Sequence, residues 1–193
     1  PLFFGDSVHF LETARALAEG RTLASGLPFH PPATTWLLWP LWSFFDDPAQ
    51  IYVASKILMA VLGALTVLGL FLLLRKRIEH ADLFCLLLPL SFGEMLLGSA
   101  TNSETLYRLL LVALLGLGSR WPVLGGLLHG LATLTRAEHL LLGLLLLLVG
   151  LARPASRRFA SISLVAALAV LLPWSMHTHR ALSDYNETFA DEL

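Results

Sequence analysis

Charge is scarce in this chain: Asp, Glu, Lys and Arg together supply 14% of its 193 residues. Against that stand 56% hydrophobic residues and a mean hydropathy of +0.71. A soluble domain of this size cannot hide so much Leu, so several stretches are expected to face lipid. A basic excess is also missing. The formal net charge of -1 argues against a nucleic-acid binder, which would carry a basic patch. Cysteine is reduced to Cys85 alone, which excludes an intrachain disulfide and leaves the redox compartment open. No Gly-rich phosphate loop is present, so no nucleotide site is expected. Neither a Met nor a signal peptide opens the chain at Pro1, and the reading is of a piece of a longer protein.

What is present is apolar runs between charged punctuation. Six candidates emerge: Ile51–Leu74, Ala81–Gly98, Thr105–Gly118, Pro122–Thr135, Leu140–Ala152 and Phe159–Trp174. A perpendicular helix needs roughly 20 residues to cross about 30 Å of hydrocarbon, and the third, fourth and fifth runs fall short. Fusing the fourth and fifth would bury Arg136, Glu138 and His139 mid-membrane, so two short helices meeting at that cluster are preferred. Basic residues fall in three loops, at Arg75–Arg77, at Arg120 and at Arg153–Arg158. Six crossings place all three on one side, and the positive-inside rule makes that side cytoplasmic. The expected division is an outer-face loop at 1–50, a transmembrane bundle at 51–176 and an outer-face tail at 177–193. The fold class is all-α, a polytopic transmembrane helix bundle in the cytoplasmic (inner) membrane.

The first 45 residues are too polar to span. Val8, Leu11, Ala14 and Ala18 recur at helical spacing, and Glu12, Arg15 and Glu19 line a polar face with ion-pair spacing. Gly20 is a plausible helix end. Ala33–Phe45 follows Pro31-Pro32 and carries Trp36, Trp39 and Trp42, residues that favour the headgroup level. Both helices are expected to lie in the interface rather than cross it. An amphipathic outer segment of this kind suits an enzyme working at a bilayer surface.

Four outer segments therefore hold the chemistry. Asp6 reads either as the N-cap of the first helix or as a general base. Glu104 reads as a first-turn acid, capped by Ser103 or Asn102 and paired with Arg108, or as a second carboxylate facing the same outer cavity. Arg136 and Glu138 read as a mutually satisfied pair holding a turn, or Arg136 reads as a phosphate-binding cation. His177 and His179 with Arg180 are weak evidence for metal. His129 lies among Gly125, Gly126 and Gly130 and reads as a packed or hydrogen-bonded core histidine beside a close helix contact. Lys56 and Glu94 sit near span ends, where long side chains snorkel. Asn186-Glu187-Thr188 matches a glycosylation sequon, a short and unspecific pattern.

Several of these residues fall into a family pattern. Gly5-Asp6-Ser7, the helix Phe10–Leu17 ending in Glu19-Gly20, then Pro28-Phe29-His30-Pro31-Pro32 and Trp36-Leu37 resemble the first outer loop of GT-C membrane glycosyltransferases. The nearest branch is that of protein O-mannosyltransferases and lipid A aminoarabinose transferases. Asn102–Tyr107 resembles that branch's second outer loop, Gly130–Glu138 a Gly-rich helix ending in a Thr-Arg-Pro-Glu-like turn, and Leu172-Pro173-Trp174 the end of the module. Ser7 stands where many relatives carry Glu, His30 where the aminoarabinose transferases carry Lys, and Ala137 where Pro is common. The resemblance implies a first transmembrane helix before Pro1 and a variable part after Leu193. It implies a sugar donor on polyprenyl phosphate in the membrane lipid, Asp6 as base, and His30, Glu104, Arg136 and Glu138 at the substrate. It calls for no nucleic acid and no certain cofactor, and leaves a divalent metal open. The rival classes are a transporter or channel fragment, for which buried ionisable groups and glycines are equally expected, and a non-catalytic membrane scaffold.

Overall fold

A computed structural model describes residues 5–20, 31–90, 101–118 and 120–191; His30 and Glu94 lie outside them. The fold is all-α, with no strand among the described residues. Among the described residues nine α-helices follow in order: α1 (Gly5–Ala18), α2 (Ala33–Leu38), α3 (Leu41–Phe44), α4 (Pro48–Leu74), α5 (Ala81–Leu87), α6 (Ser103–Ala113), α7 (Pro122–Thr135), α8 (His139–Ala152) and α9 (Arg157–Asp191). A 3₁₀ turn, Leu88–Leu90, extends α5, and a π-helical turn, Leu114–Gly118, ends α6.

Local chemistry sets most of these boundaries. Asp47 caps α4 by accepting the Ala49 amide at 2.9 Å, with Pro48 as first helical residue, where its missing N–H costs nothing. Asn102 caps α6 by accepting from the Thr105 amide and hydroxyl, both at 3.1 Å, so the Asn102 alternative for that cap is the one realised. After α1, Gly20 takes the left-handed conformation expected of a helix end, at φ +72°. Pro40 has no N–H to give the preceding turn, and it divides the expected Ala33–Phe45 helix into α2 and α3.

Among the described residues two helices are long and apolar enough to cross a membrane, Pro48–Leu74 and the Arg157–Ala181 part of α9; α7 and α8 are apolar but shorter. On α4 the buried residues are Ile51, Ser55, Met59 and Leu62, while Val53, Ile57, Val61, Leu65, Leu68 and Leu72 are exposed. Half of α8 is exposed leucine. The molecule is thus apolar inside and out. Phe10 and Ala14 of α1, Leu38 of α2, and Met59 and Leu62 of α4 form one core cluster.

Contacts along the helices fix their directions. Ser55 meets Thr101, and a side chain at Gly69 or Gly116 would strike Val112 or Leu73, so α4 and α6 run parallel. Gly126 lies against Ser163 and Gly130 against Val170, so α7 and α9 also run parallel. A Cβ at Gly126 would sit 2.1 Å from the Ser163 carbonyl oxygen, which means the two backbones touch there. Gly150 meets Ala160 across the α8–α9 hairpin. One end of the bundle therefore gathers Ser55, Thr101, Glu104 and the turn between α7 and α8. The opposite end carries Arg75–Arg77, Arg120 and Arg153–Arg158.

The sequence expectations also differ from this fold in α1 and at the C-terminal end. The buried stripe of α1 is Ser7, Phe10 and Ala14, with Val8 exposed and Leu11 half-buried. The apolar face is rotated toward Phe10 because α1 packs on α2 and α3 rather than lying free. Arg15 and Glu19 do pair, at 2.8 Å. The region from His177, expected as a tail, continues α9 to Asp191. Pro173 removes only its own bond to the preceding turn, and no Gly or further Pro follows it up to Asp191.

Candidate functional site

The end of the bundle with the interhelical turn is polar and layered. Outermost is Arg136, the residue that closes α7 in extended conformation. Its Nη1 donates to Glu104 Oε1 of α6 at 2.5 Å, and its Nη2 to Glu138 Oε1 at 3.2 Å. Glu104 side chain is 30% exposed and that of Glu138 72%, so the first contact is half-sheltered and the second open to solvent. The hydrogen bond that Arg136 donates to Glu138 is the main reason the guanidinium is held above its ordinary value; burial opposes this, and the charge of Glu104 adds to it. Reciprocally, the bond from Arg136 holds the Glu138 carboxyl below the usual carboxylate range. Glu138 spends its side chain on Arg136 and offers no side-chain cap to α8. The turn is closed instead by the His139 and Leu140 amides, which donate to the carbonyls of Arg136 and Ala137.

Beneath this ion-paired layer lies a chain of three groups from three helices. Tyr107 of α6, one turn beyond Glu104, has its hydroxyl 3.1 Å from His139 Nδ1. His139 Nε2 lies 3.1 Å from His129 Nδ1 of α7, with the imidazoles stacked at 5.3 Å between centroids. His139 is fully buried and His129 nearly so. Gly143 makes room for them: a Cβ there would meet His129 Nδ1 at 3.2 Å.

The start of α1 docks beside this site through a second polar network. Ser7 Oγ donates to the Thr101 carbonyl at 2.7 Å. Ser55 Oγ donates to the Tyr52 carbonyl at 2.8 Å, which leaves Thr101 Oγ1 as the donor in its 3.0 Å contact with Ser55 Oγ. All three side chains are buried and each is satisfied, as buried hydroxyls must be. Asp6 belongs to the first turn of α1, next to Ser7, and is placed by its backbone alone. Nearby, Trp36 of α2 packs edge-to-face on Trp174 of α9, which in turn lies against the His177 ring.

Of the residues singled out from the sequence, Glu104, Arg136 and Glu138 are brought into direct contact. Asp6 reaches the neighbourhood through Ser7, and His30 is outside the described residues. Glu104 is bonded to Arg136 across helices, not to Arg108 along its own helix. No group of three His, Cys, Asp or Glu side chains suited to a metal is found among the described residues. His129 is the hydrogen-bonded core histidine expected, but its partners were not foreseen. The available signal was spacing: Tyr107 lies three residues after Glu104, and His129 seven before Arg136, each sharing a helix face with a residue already noted.

Comparison with known proteins adds nothing to this geometry: no family model, curated protein or solved structure matches the chain.

Proposed function

We propose that the chain is the catalytic module of a polytopic membrane glycosyltransferase of GT-C type, working on the outer side of the cytoplasmic membrane. The observation that carries this reading is the contact of Arg136 with Glu104 and Glu138 at the end of the bundle away from the basic loops, with Ser7 of α1 bonded to Thr101, three residues before Glu104. The exposed apolar faces of α4 and α8 support a lipid setting, since monomeric soluble proteins rarely expose so large an apolar patch. The short α7 and α8 would then cross with their shared turn sunk below the outer surface.

In this reading an acceptor hydroxyl attacks the anomeric carbon of a polyprenyl-phosphate sugar. Asp6 takes the hydroxyl proton, the new glycosidic bond forms with inversion, and the lipid phosphate leaves with the electron pair of the broken C–O bond. A carboxylate suits the first role because it stays ionised beside an oxocarbenium-like centre. Arg136 suits the second because a guanidinium offers paired donors to phosphate oxygens, with His30 assisting. Both carboxylates now hold Arg136, so phosphate must displace one. Glu138 is the one that yields, being solvent-exposed and at the longer distance, while Glu104 keeps the guanidinium aimed.

The test is transfer by the full-length protein with a panel of polyprenyl-phosphate sugars, wild type against Asp6→Asn. Asn keeps the fold but takes no proton, so turnover should drop on the order of 10²–10⁴-fold at unchanged melting temperature. Full turnover in the variant ends the assignment of Asp6. Arg136→Gln should weaken donor binding more than acceptor binding.

A further inference from the structure

The Tyr107–His139–His129 chain plays no part in the transfer just described, yet it is the most deeply buried titratable group of this end. Its hydrogen-bond arithmetic is restrictive. Uncharged, the three groups carry one phenolic and two ring protons. Two links can be filled in either direction: Tyr107 to His139 to His129, or the reverse. One added proton fits without loss. It sits on either ring: His139 Nδ1–H donates to the Tyr107 oxygen, and one proton bridges His139 Nε2 and His129 Nδ1. A second added proton does not fit. It would occupy His129 Nδ1 and face the His139 Nε2–H across 3.1 Å, two donors with no acceptor between two stacked cations.

We propose that Tyr107, His139 and His129 form a buried site that holds one added proton and no second, and that this occupancy latches the outer ends of α6, α7 and α8 together. Inward of His129 the α7 face meets α9 through Gly126 and Ala166, and α8 continues with Gly143 and Leu147. The charged groups near it are Glu104 and Arg108 on α6 and Arg136 and Glu138 in the turn. α9 has no titratable side chain between Arg158 and His177, and α2 has none.

Breaking the His139–His129 link frees the first residue of α8, and with it the turn that holds Arg136 against Glu104. Acid should therefore open this end of the bundle. The proposal stands apart from glycosyl transfer, and its test needs no activity.

The experiment is ¹⁵N-histidine NMR on the full chain in nanodiscs from pH 8 to pH 4, alongside amide exchange of residues 136–142. The two rings are assigned by the signals missing in His129→Gln and His139→Gln. The expected result is uptake of one proton by the pair with exchange protection intact, and loss of protection where the second enters. Gln bonds through its amide but cannot charge, so His129→Gln should keep protection at neutral pH and retain it in acid. Two imidazolium signals with protection unchanged would falsify the latch, as would no proton uptake across the range. Acid loss of protection that is the same in His129→Gln also overturns it. If that variant does not fold, the wild-type spectra decide alone.

Discussion

Arg136 is a cation with two unequal partners, and the inequality can be measured. Glu104 shares its half-sheltered position, so Glu104→Gln leaves a guanidinium partly out of water with only an exposed carboxylate to answer it. The expected cost is about 1–3 kcal/mol of stability, the scale for orphaning one member of a partly buried pair. Chemical unfolding in detergent reads it, and an unchanged midpoint would make the contact incidental. Glu138 is different. Its carboxyl is held below the usual range in the folded chain. Its contribution is thus present above the ordinary carboxylate range and fades as pH falls through the lowered value. Wild type should lose melting temperature on acidification below that range, and Glu138→Gln should lose less. Screening at so exposed a site keeps the difference small. At neutral pH the same variant should bind a lipid phosphate more tightly, because one competitor for Arg136 is gone.

Elements meet here at contacts that only glycine permits. α7 and α9 touch through Gly126 and Gly130, where a Cβ would strike the Ser163 carbonyl and the Val170 side chain. Gly126→Ala pushes against backbone, which cannot rotate aside, so the helices must part. The expected loss is about 1–3 kcal/mol, the usual scale of overpacking. Gly63→Ala is the control, since nothing lies within 4 Å of its added carbon and a helix interior gains from alanine. Equal melting temperatures for the two variants would contradict the contact. Ser163 reinforces the same junction by donating to the Pro122 carbonyl at 2.8 Å. Elsewhere α1 is held by Phe10 and Ala14 in the core and by Arg15, whose guanidinium lies 5.4 Å from the centre of the Trp42 ring.

At the scale of the molecule the two ends are chemically distinct, one with two carboxylates on Arg136 and a histidine pair, the other with clustered arginines. If the bundle spans a membrane as proposed, the arginine end faces the cytoplasm. Cys85 is the sole cysteine and is buried, so a Cys85→Ser background accepts single labels cleanly. A cysteine at Lys76 should react with an impermeant reagent only after the membrane is opened, and one at Ala137 from outside. Labelling of both from the same side would sink the six-crossing topology and the enzyme reading with it.

Much of this architecture is legible in the chain itself, for local reasons. Helix limits follow from caps and breakers, and the runs Pro122–Thr135 and Ile51–Leu74 reappear as α7 and, with three residues added, α4. The apolar class follows from composition. What local pattern leaves open is which polar residue meets which. Glu104 had an adequate partner one turn away in Arg108, and spacing alone favoured it. The Arg136 contact exists because α6 and α7 pack side by side and bring residues 32 apart in sequence within hydrogen-bond reach. The buried face of α1 lies about a residue from the one its periodicity predicts, for the same reason: periodicity gives an apolar stripe, but the surface it packs against selects the part that is buried. The histidine pair is the extreme case. Neither ring is unusual in its own segment, and only the α7–α8 turn, with Gly143 leaving space, stacks one on the other. The sequence determined which segments are helical and apolar, because those properties rest on neighbours along the chain. Pairing of charges and protons was decided by tertiary packing, because it depends on distances that no single segment contains.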